Sequence, residues 1–419
     1  MLRFFLFLAA VPALAQQRLT IEDAERQALA NHPTVQATAF RARAAAEVPA
    51  EIRANLYPQI SGAVTGVGSL AGSRIAAGAL NNPIIYDRFA SGIGVSQLLY
   101  DFGRTNSIVK ETLFQAQAST QNAEAAKFRV LLDVDAAYLA VLRAQSVLRV
   151  ADQTVKARQL VVDQVTALAK SQLKSDLDVT FSRVNLSEAQ LLLSAAQNEV
   201  RSAFAQLAGA MGTQQEANYQ LEEAPMPDDL VKDLAPLLDE AIRKRPDLAS
   251  LRSLELAARQ QIESEKKLVL PTFSSTGAVG VIPAHEDALR GRYAAAGVNM
   301  SIPVFNGHLF AARRREAEFK ALAAAQQVRD SENRIVQAVR IAYINAQNAF
   351  ERMALTAELL SSARQAMELA QARYDLGLGS IVELTQAQLN TTSAEIAGAT
   401  ARYEYQIRRS VLRYEIGAF

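Results

Sequence analysis

From Val134 onward, every seventh residue is apolar: Val134, Val141, Leu148, Val155, Val162 and Ala169. Three places after the first five stand Ala137, Ala144, Ala151, Arg158 and Val165. A seven-residue spacing with apolar groups at two positions marks a helix packed along one seam against other helices. The same frame returns at Val339, Ala346, Met353, Leu360, Met367 and Tyr374, with Ala342, Ala349, Thr356, Ala363 and Ala370 three places on. The displacement is 205 residues (339 − 134), and Leu177, Val184 and Leu191 keep it against Val382, Leu389 and Ile396 (382 − 177). One matching seam arises by chance. An offset shared by two successive helices and the turn between them does not, so the chain reads as a duplication.

Hydrophobic residues make up 50% of the 419, yet aromatics are only 6% and tryptophan is absent. That profile suits thin, alanine-packed helices better than a thick core. A net charge of +1 supplies no overall field for nucleic acid. The densest basic run, Arg313 to Arg315, is followed at once by Glu316 and Glu318, as on a solvated or interfacial helix face. With no cysteine there is no thiol catalysis, disulfide, thiolate metal site or lipid on an N-terminal cysteine.

Arg3, the apolar run Phe4 to Ala10, and Ala13-Leu14-Ala15 have the charge, apolar core and small-residue ending of a secretory signal peptide. Cleavage is expected after Ala15. No other run approaches eighteen apolar residues, so no transmembrane helix is expected in the mature chain. Export then leads to the periplasm or the outer membrane.

The expected divisions are a signal peptide over 1–15, a first repeat over 16–211, a linker over 212–236 and a second repeat over 237–419. In the first repeat, Thr20 and Asp23 cap a short helix to Ala30, Pro33 interrupts it, and a second helix runs from about Thr34 to Asn55 before Tyr57-Pro58. The second repeat matches with Leu237 to Lys244, Pro246, then Asp247 to Val269 before Leu270-Pro271. Both pairs of prolines lie 213 residues apart (246 − 33; 271 − 58).

Beyond each second proline the pattern changes to glycine-rich segments with short alternating stretches. These are Gln59 to Ser69 and Arg88 to Tyr100, then Thr272 to Ile282 and Arg292 to Val304. Each is near the length of a tilted strand crossing a bilayer. Four such strands cannot close a barrel, so they need identical partners. The insert from Leu70 to Asp87 reads as an exposed loop, and His285, Glu286 and Asp287 read as a solvated turn rather than a metal site.

Each strand pair ends in a corner. The first holds Tyr100, Phe102 and Gly103, the second Phe305 and Gly307, with aromatics suited to a membrane interface. Helices of roughly 65 residues, or ~100 Å, follow. They break at Ala169 to Asp178 and at Tyr374 to Glu383, and returning helices run to about Met211 and Gly417. Flanking residues Ala136, Leu139, Ala140 and Leu142, and Ile341, Tyr343 and Ile344, widen the apolar face beyond one seam. A helix apolar on two sides needs neighbours on two sides, which a ring of hairpins provides.

The chain resembles the TolC-like outer-membrane efflux protein family over nearly all its mature length. The residues carrying the resemblance are Leu19 to Ala24 with Asn31-His32-Pro33, Leu56-Tyr57-Pro58, Gly103 and Gly307, Leu177-Asp178-Val179 with Asn185 to Gln190, and Tyr374 to Leu384. The resemblance implies a mainly α fold with membrane β-strands. In it, a homotrimer forms a 12-stranded β-barrel in outer-membrane lipid, continued by a 12-helix periplasmic α-barrel. It implies an equatorial region near the termini and the linker.

It further implies a periplasmic entrance at the hairpin tips, opened when a periplasmic adaptor and an inner-membrane transporter dock. Asp178 and Glu383 then stand at entrance positions, with Gly377 in the second tip. The family pattern places another acid at Gln386 and an arginine at Gly379, where this chain has glutamine and glycine; Asp176 is the nearest substitute acid. Ser175 with Asp178, and Ser380 with Glu383, equally read as helix starts.

The implied activity is a passive exit duct of a tripartite efflux or type I secretion system, without enzyme activity, cofactor, metal or nucleic acid. The competing class is a soluble periplasmic coiled-coil adaptor or scaffold, which has the hairpins but no use for the strands. Of the histidines, His32, His285 and His308, none has a carboxylate or nucleophile at a catalytic spacing.

Overall fold

The computed structural model describes residues 17–70, 73, 85–214, 219–223, 226, 233–285, 287 and 289–419. The expected signal peptide, most of the Leu70 to Asp87 insert and Glu286 lie outside them. In chain order the elements are β1 (Gln17–Leu19), α1 (Ile21–Asn31), α2 (Pro33–Ala54), β2 (Gln59–Val67), β3 (Arg88–Tyr100), α3 (Arg104–Lys170) and α4 (Asp176–Ala210). Then come β4 (Tyr219–Leu221), α5 (Leu234–Lys244), α6 (Pro246–Lys266), a short 3-10 turn (Lys267–Val269), β5 (Thr272–His285), β6 (Arg292–Ser301), α7 (Leu309–Asp375) and α8 (Ile381–Glu415).

The long helices α3 and α7 have 67 residues each, and α4 and α8 have 35 each. Their starts and ends differ by 205 throughout (309 − 104, 375 − 170, 381 − 176, 415 − 210). The helix exits repeat at the same offset. Leu173 N–H donates to the Leu168 carbonyl at 2.9 Å and Leu378 N–H to that of Arg373 at 2.8 Å. This closing bond requires a left-handed residue just past the helix. Gly377 supplies it with φ +73°, while Gln172 adopts φ +59° at the equivalent place without a glycine. Hydrogen bonding, rather than residue preference, holds the first tip in shape.

By backbone proximity the chain forms two compact units. One comprises Met1–Ala39, Ala123–Pro246 and Glu332–Phe419; the other Phe40–Asn122 and Asp247–Ser331.

In the first unit the seam is buried as its spacing predicts: Val134, Val141, Ala151 and Val165 in α3, and Val339, Ala342, Ala346 and Ala349 in α7. The returning helices differ from expectation. Leu177, Val184 and Leu191, with Val382 and Leu389, are exposed in the single chain. The buried rows are instead Ser182, Ala189, Ala196 and Ala203 in α4, and Ala387, Ala394 and Ala401 in α8. Small side chains let helices approach closely, which leaves the larger ones outside. Arg158 is a further exception, a seam residue only 4% exposed. Burial lowers its pKa, opposed by the charge of Glu188.

The expected bare flanks are bare only in the second hairpin, at Ile341 and Ile344. Leu139 and Leu142 are covered, joining a cluster with Leu19, Ala24, Ala28, Leu207 and Leu221. Part of the linker forms regular structure. Its β4 pairs in parallel with β1, Gln17 to Leu19 against Tyr219 to Leu221. Fully buried Tyr138 fixes this ribbon to α3, its hydroxyl lying 2.8 Å from the Leu19 carbonyl and 2.7 Å from that of Glu222.

Beside it Asp135, 1% exposed, accepts from the Ser410 hydroxyl at 2.6 Å. Burial, followed by a hydrogen bond with Asp135, pushes the Glu25 carboxyl up to about 7. Glu25 therefore takes up its proton near neutrality, well above the usual carboxylate range.

The second unit holds a four-stranded antiparallel sheet in the order β2-β3-β5-β6. Its strands keep the expected starts, with β5 extended to His285 and β6 ending at Ser301.

Candidate functional site

Two regions carry the residues singled out by sequence: the hairpin tips in the first unit, and the sheet with its corners in the second.

At the first tip, Ser175 and Asp178 form a complete capping box. Asp178 N–H donates to Ser175 Oγ at 3.2 Å, while Ser175 N–H donates back to Asp178 Oδ2 at 3.1 Å. Asp176 lies exposed in the first turn of α4, where an acid favours the positive end of the helix dipole. At the second tip, Glu383 N–H donates to Ser380 Oγ at 3.1 Å. Its carboxylate accepts from Arg373 Nε at 3.0 Å, and Arg373 also donates to the Leu378 carbonyl at 3.2 Å. Gln386 stays on its own helix, donating to Asn390 at 2.9 Å.

The arginine that reaches Glu383 at this tip is Arg373, in the last turn of α7. A Cβ at 379 would stand 3.3 Å from Arg373 Cβ and the Tyr374 nitrogen, a tight contact that asks its neighbours to give by a few tenths of an ångström.

The two tips meet over an apolar cluster of Val165, Tyr374, Ile381 and Leu384, flanked by Val161, Val179 and Met367. Lys174 sits 4.1 Å above the Tyr374 ring. Burial raises the Tyr374 phenol, reinforced by the charges of Asp178 and Asp375, and its buried hydroxyl has no hydrogen-bond partner. Asn185 links the returning helices by donating to Thr385 Oγ1 at 2.9 Å.

Sequence reasoning placed Tyr374 in the seam and Lys174 in the turn without joining them. The signal was the shared offset, which aligns the two breaks. Arg373 carried no signal of its own, because its partner lies ten residues away across a turn.

At the corners the chain reverses through two consecutive left-handed residues, Phe102 (φ +55°) with Gly103 (φ +77°), and Gly307 (φ +62°) with His308 (φ +65°). The first corner is tied down. Asp101 accepts from Gly103 N–H at 3.0 Å and from Thr105 N–H at 2.7 Å, while Lys267 donates to the Gly103 carbonyl at 3.0 Å. Tyr100 and Phe102 rings lie 4.7 Å apart, and Phe305, 80% exposed, lies 6.0 Å from His308.

Paired residues in a sheet share a face, so the register sorts the strands. Ile60, Val64, Ile93, Val95, Val279 and Val298 stand on one face, all exposed in the single chain. The other face carries small and polar residues such as Ser61, Thr65, Ser96, Thr276, Ala278 and Asn299. The short alternating stretches of the sequence thus join into two distinct faces across the four strands. An exposed apolar band opposite a polar face is the pattern of a strand between lipid and water.

Among the described residues no group of three or more His, Asp or Glu side chains could hold a metal, and no helix is long and apolar enough to cross a membrane.

The chain matches the family described as outer membrane efflux protein over residues 25–213 and 237–418. It is 24% identical over 409 residues to outer membrane protein TolC of Salmonella enteritidis, covering 94% of this chain and 80% of that one. It is also 24% identical, over 343 residues, to alkaline protease secretion protein AprF of Pseudomonas aeruginosa, covering 79% and 70%. A crystal structure of a membrane protein from Pseudomonas aeruginosa superposes with a TM-score of 0.82 at 22% identity, covering 95% of this chain and 93% of that one.

Proposed function

The chain belongs to the outer membrane efflux protein family, and from that premise we propose how it forms its passage. The protein is an exit channel of the outer membrane that serves efflux or type I secretion, and its family consists of channel proteins rather than enzymes. In our reading three copies join edge to edge, the four strands of each making a 12-stranded barrel in outer-membrane lipid. The four helices α3, α4, α7 and α8 of each chain make a 12-helix tunnel that reaches through the periplasm. Signal-peptide cleavage near Ala15 precedes this assembly, and the two sequence repeats and the linker keep the divisions expected above.

The sheet carries this reading. Among the described residues its outer strands β2 and β6 each pair on one side only, and one face is apolar and exposed. Unpaired strand edges and an apolar face are both costly in water, and closure with copies in lipid removes both costs. The exposed rows of α4 and α8, from Leu177 and Val382, support the same association in the helical part. A soluble adaptor leaves the apolar sheet face unexplained.

The tip residues Asp176, Asp178, Gly377, Gly379, Glu383 and Gln386 form the periplasmic entrance in this scheme, and docking of an adaptor with its inner-membrane transporter opens it. Tyr100, Phe102, Gly103, Phe305 and Gly307 mark the membrane interface. The transporter supplies energy and this chain supplies a water-filled path, whose width and lining set what passes.

Purified protein reconstituted into a planar bilayer should give discrete ion-conducting steps. Silent bilayers, with insertion verified by protease protection, would overturn the reading.

A further inference from the structure

Tyr293 is the one aromatic residue that the β2-β3-β5-β6 register places on the small, polar face between Thr272 and Val281 and their partners. It pairs with Gly280 of β5, which in turn pairs with Gly92 of β3. The ring lies across both glycines. A side chain at Gly280 would come within 2.5 Å of its Cζ and Oη, and one at Gly92 would collide with the same hydroxyl. Two aligned glycines thus make a slot in which a large ring lies against backbone instead of standing off the sheet. Tyr293 remains 37% exposed, so a ring seated on the sheet keeps a surface open on the side away from it.

In the channel reading, on which this inference rests, the polar face lines the water-filled passage. We propose that Tyr293 is a contact site for organic cations in transit through the barrel, with its open ring surface as the attracting group. An aromatic face carries negative potential and attracts cations. Arg88 on this face stands four residues along β3 from Gly92, while the positions nearest the ring, Ala63, Ala278 and Ala295, are neutral and small. They neither compete for a cation nor crowd the ring. Three copies would place three such rings at one level of the passage.

The test is block of single-channel current by tetrabutylammonium added to the strand side of a reconstituted planar bilayer. Wild type and Y293F should be blocked alike, since both keep the ring. Y293A and Y293L should raise the half-blocking concentration about two- to fivefold, the range expected for one exposed cation–ring contact. Leucine keeps apolar bulk in the slot and covers the case in which alanine fails to assemble. Equal block of wild type, Y293A and Y293L would overturn the proposal, as would loss of block in Y293F. Absence of current from wild type would instead refute the channel reading itself, so the two failures are distinct.

Discussion

Arginine in place of Val279 should remove the protein from the outer-membrane fraction, whereas arginine in place of its neighbour Ala278 should leave it there. The two positions share a depth in β5 but project to opposite faces. Val279 pairs with Ile93 and Ala294, and Ala278 pairs with Gly94 and Ala295. Val279 is 58% exposed in the single chain, as a lipid-facing residue would be. A charged side chain on the lipid face costs about 2–4 kcal/mol near the bilayer midplane, while a passage-facing charge keeps its water. In an assembly of identical chains that cost recurs in every copy. Density-gradient fractionation followed by immunodetection reads the outcome. Equal membrane recovery of V279R and A278R would show that the apolar band does not face lipid.

The second large effect concerns the entrance. Leu384→Ala should raise the conductance of reconstituted protein far more than Arg373→Gln. Leu384 is 1% exposed and sits in the cluster that joins the two tips. Truncating a buried leucine costs about 2–5 kcal/mol, part of it from the cavity left behind. The Arg373–Glu383 pair is well hydrated, its side chains 55% and 44% exposed. Such a pair contributes about 0.2–1 kcal/mol. Apolar packing around Tyr374 and Leu384 therefore outweighs this ion pair in keeping the tips together. The reverse ranking of the two variants would assign closure to polar links instead.

The parts of this architecture that were legible in the sequence are those set by local periodicity. Heptads marked the latter halves of α3 and α7, the glycine corners marked their starts, and the serines at 175 and 380 with acids three residues on marked both starts of the returning helices. What stayed hidden depends on contacts between distant segments. The returning helices bury Ala189, Ala196, Ala394 and Ala401 instead of the leucine row, because the choice between two apolar stripes is made by the neighbour each meets.

Gln172 takes a left-handed turn that composition assigns to glycine, since backbone hydrogen bonds impose it. Asp135 and Tyr138 look like interruptions in an apolar run until Ser410, Leu19 and Glu222 are brought to them. At the tips, attention to Gly379 and Gln386 overlooked Arg373, which reaches Glu383 from the far side of the turn. In the sheet, glycines at 92, 94, 277 and 280 kept the alternation to short stretches, and only the register joins these into two faces across four strands.

Counting chains in the detergent-extracted particle, by native mass spectrometry or light scattering, tests the central claim most directly. Three copies per particle, recovered only with detergent, is the predicted result. A monodisperse single chain that stays soluble without detergent would contradict it.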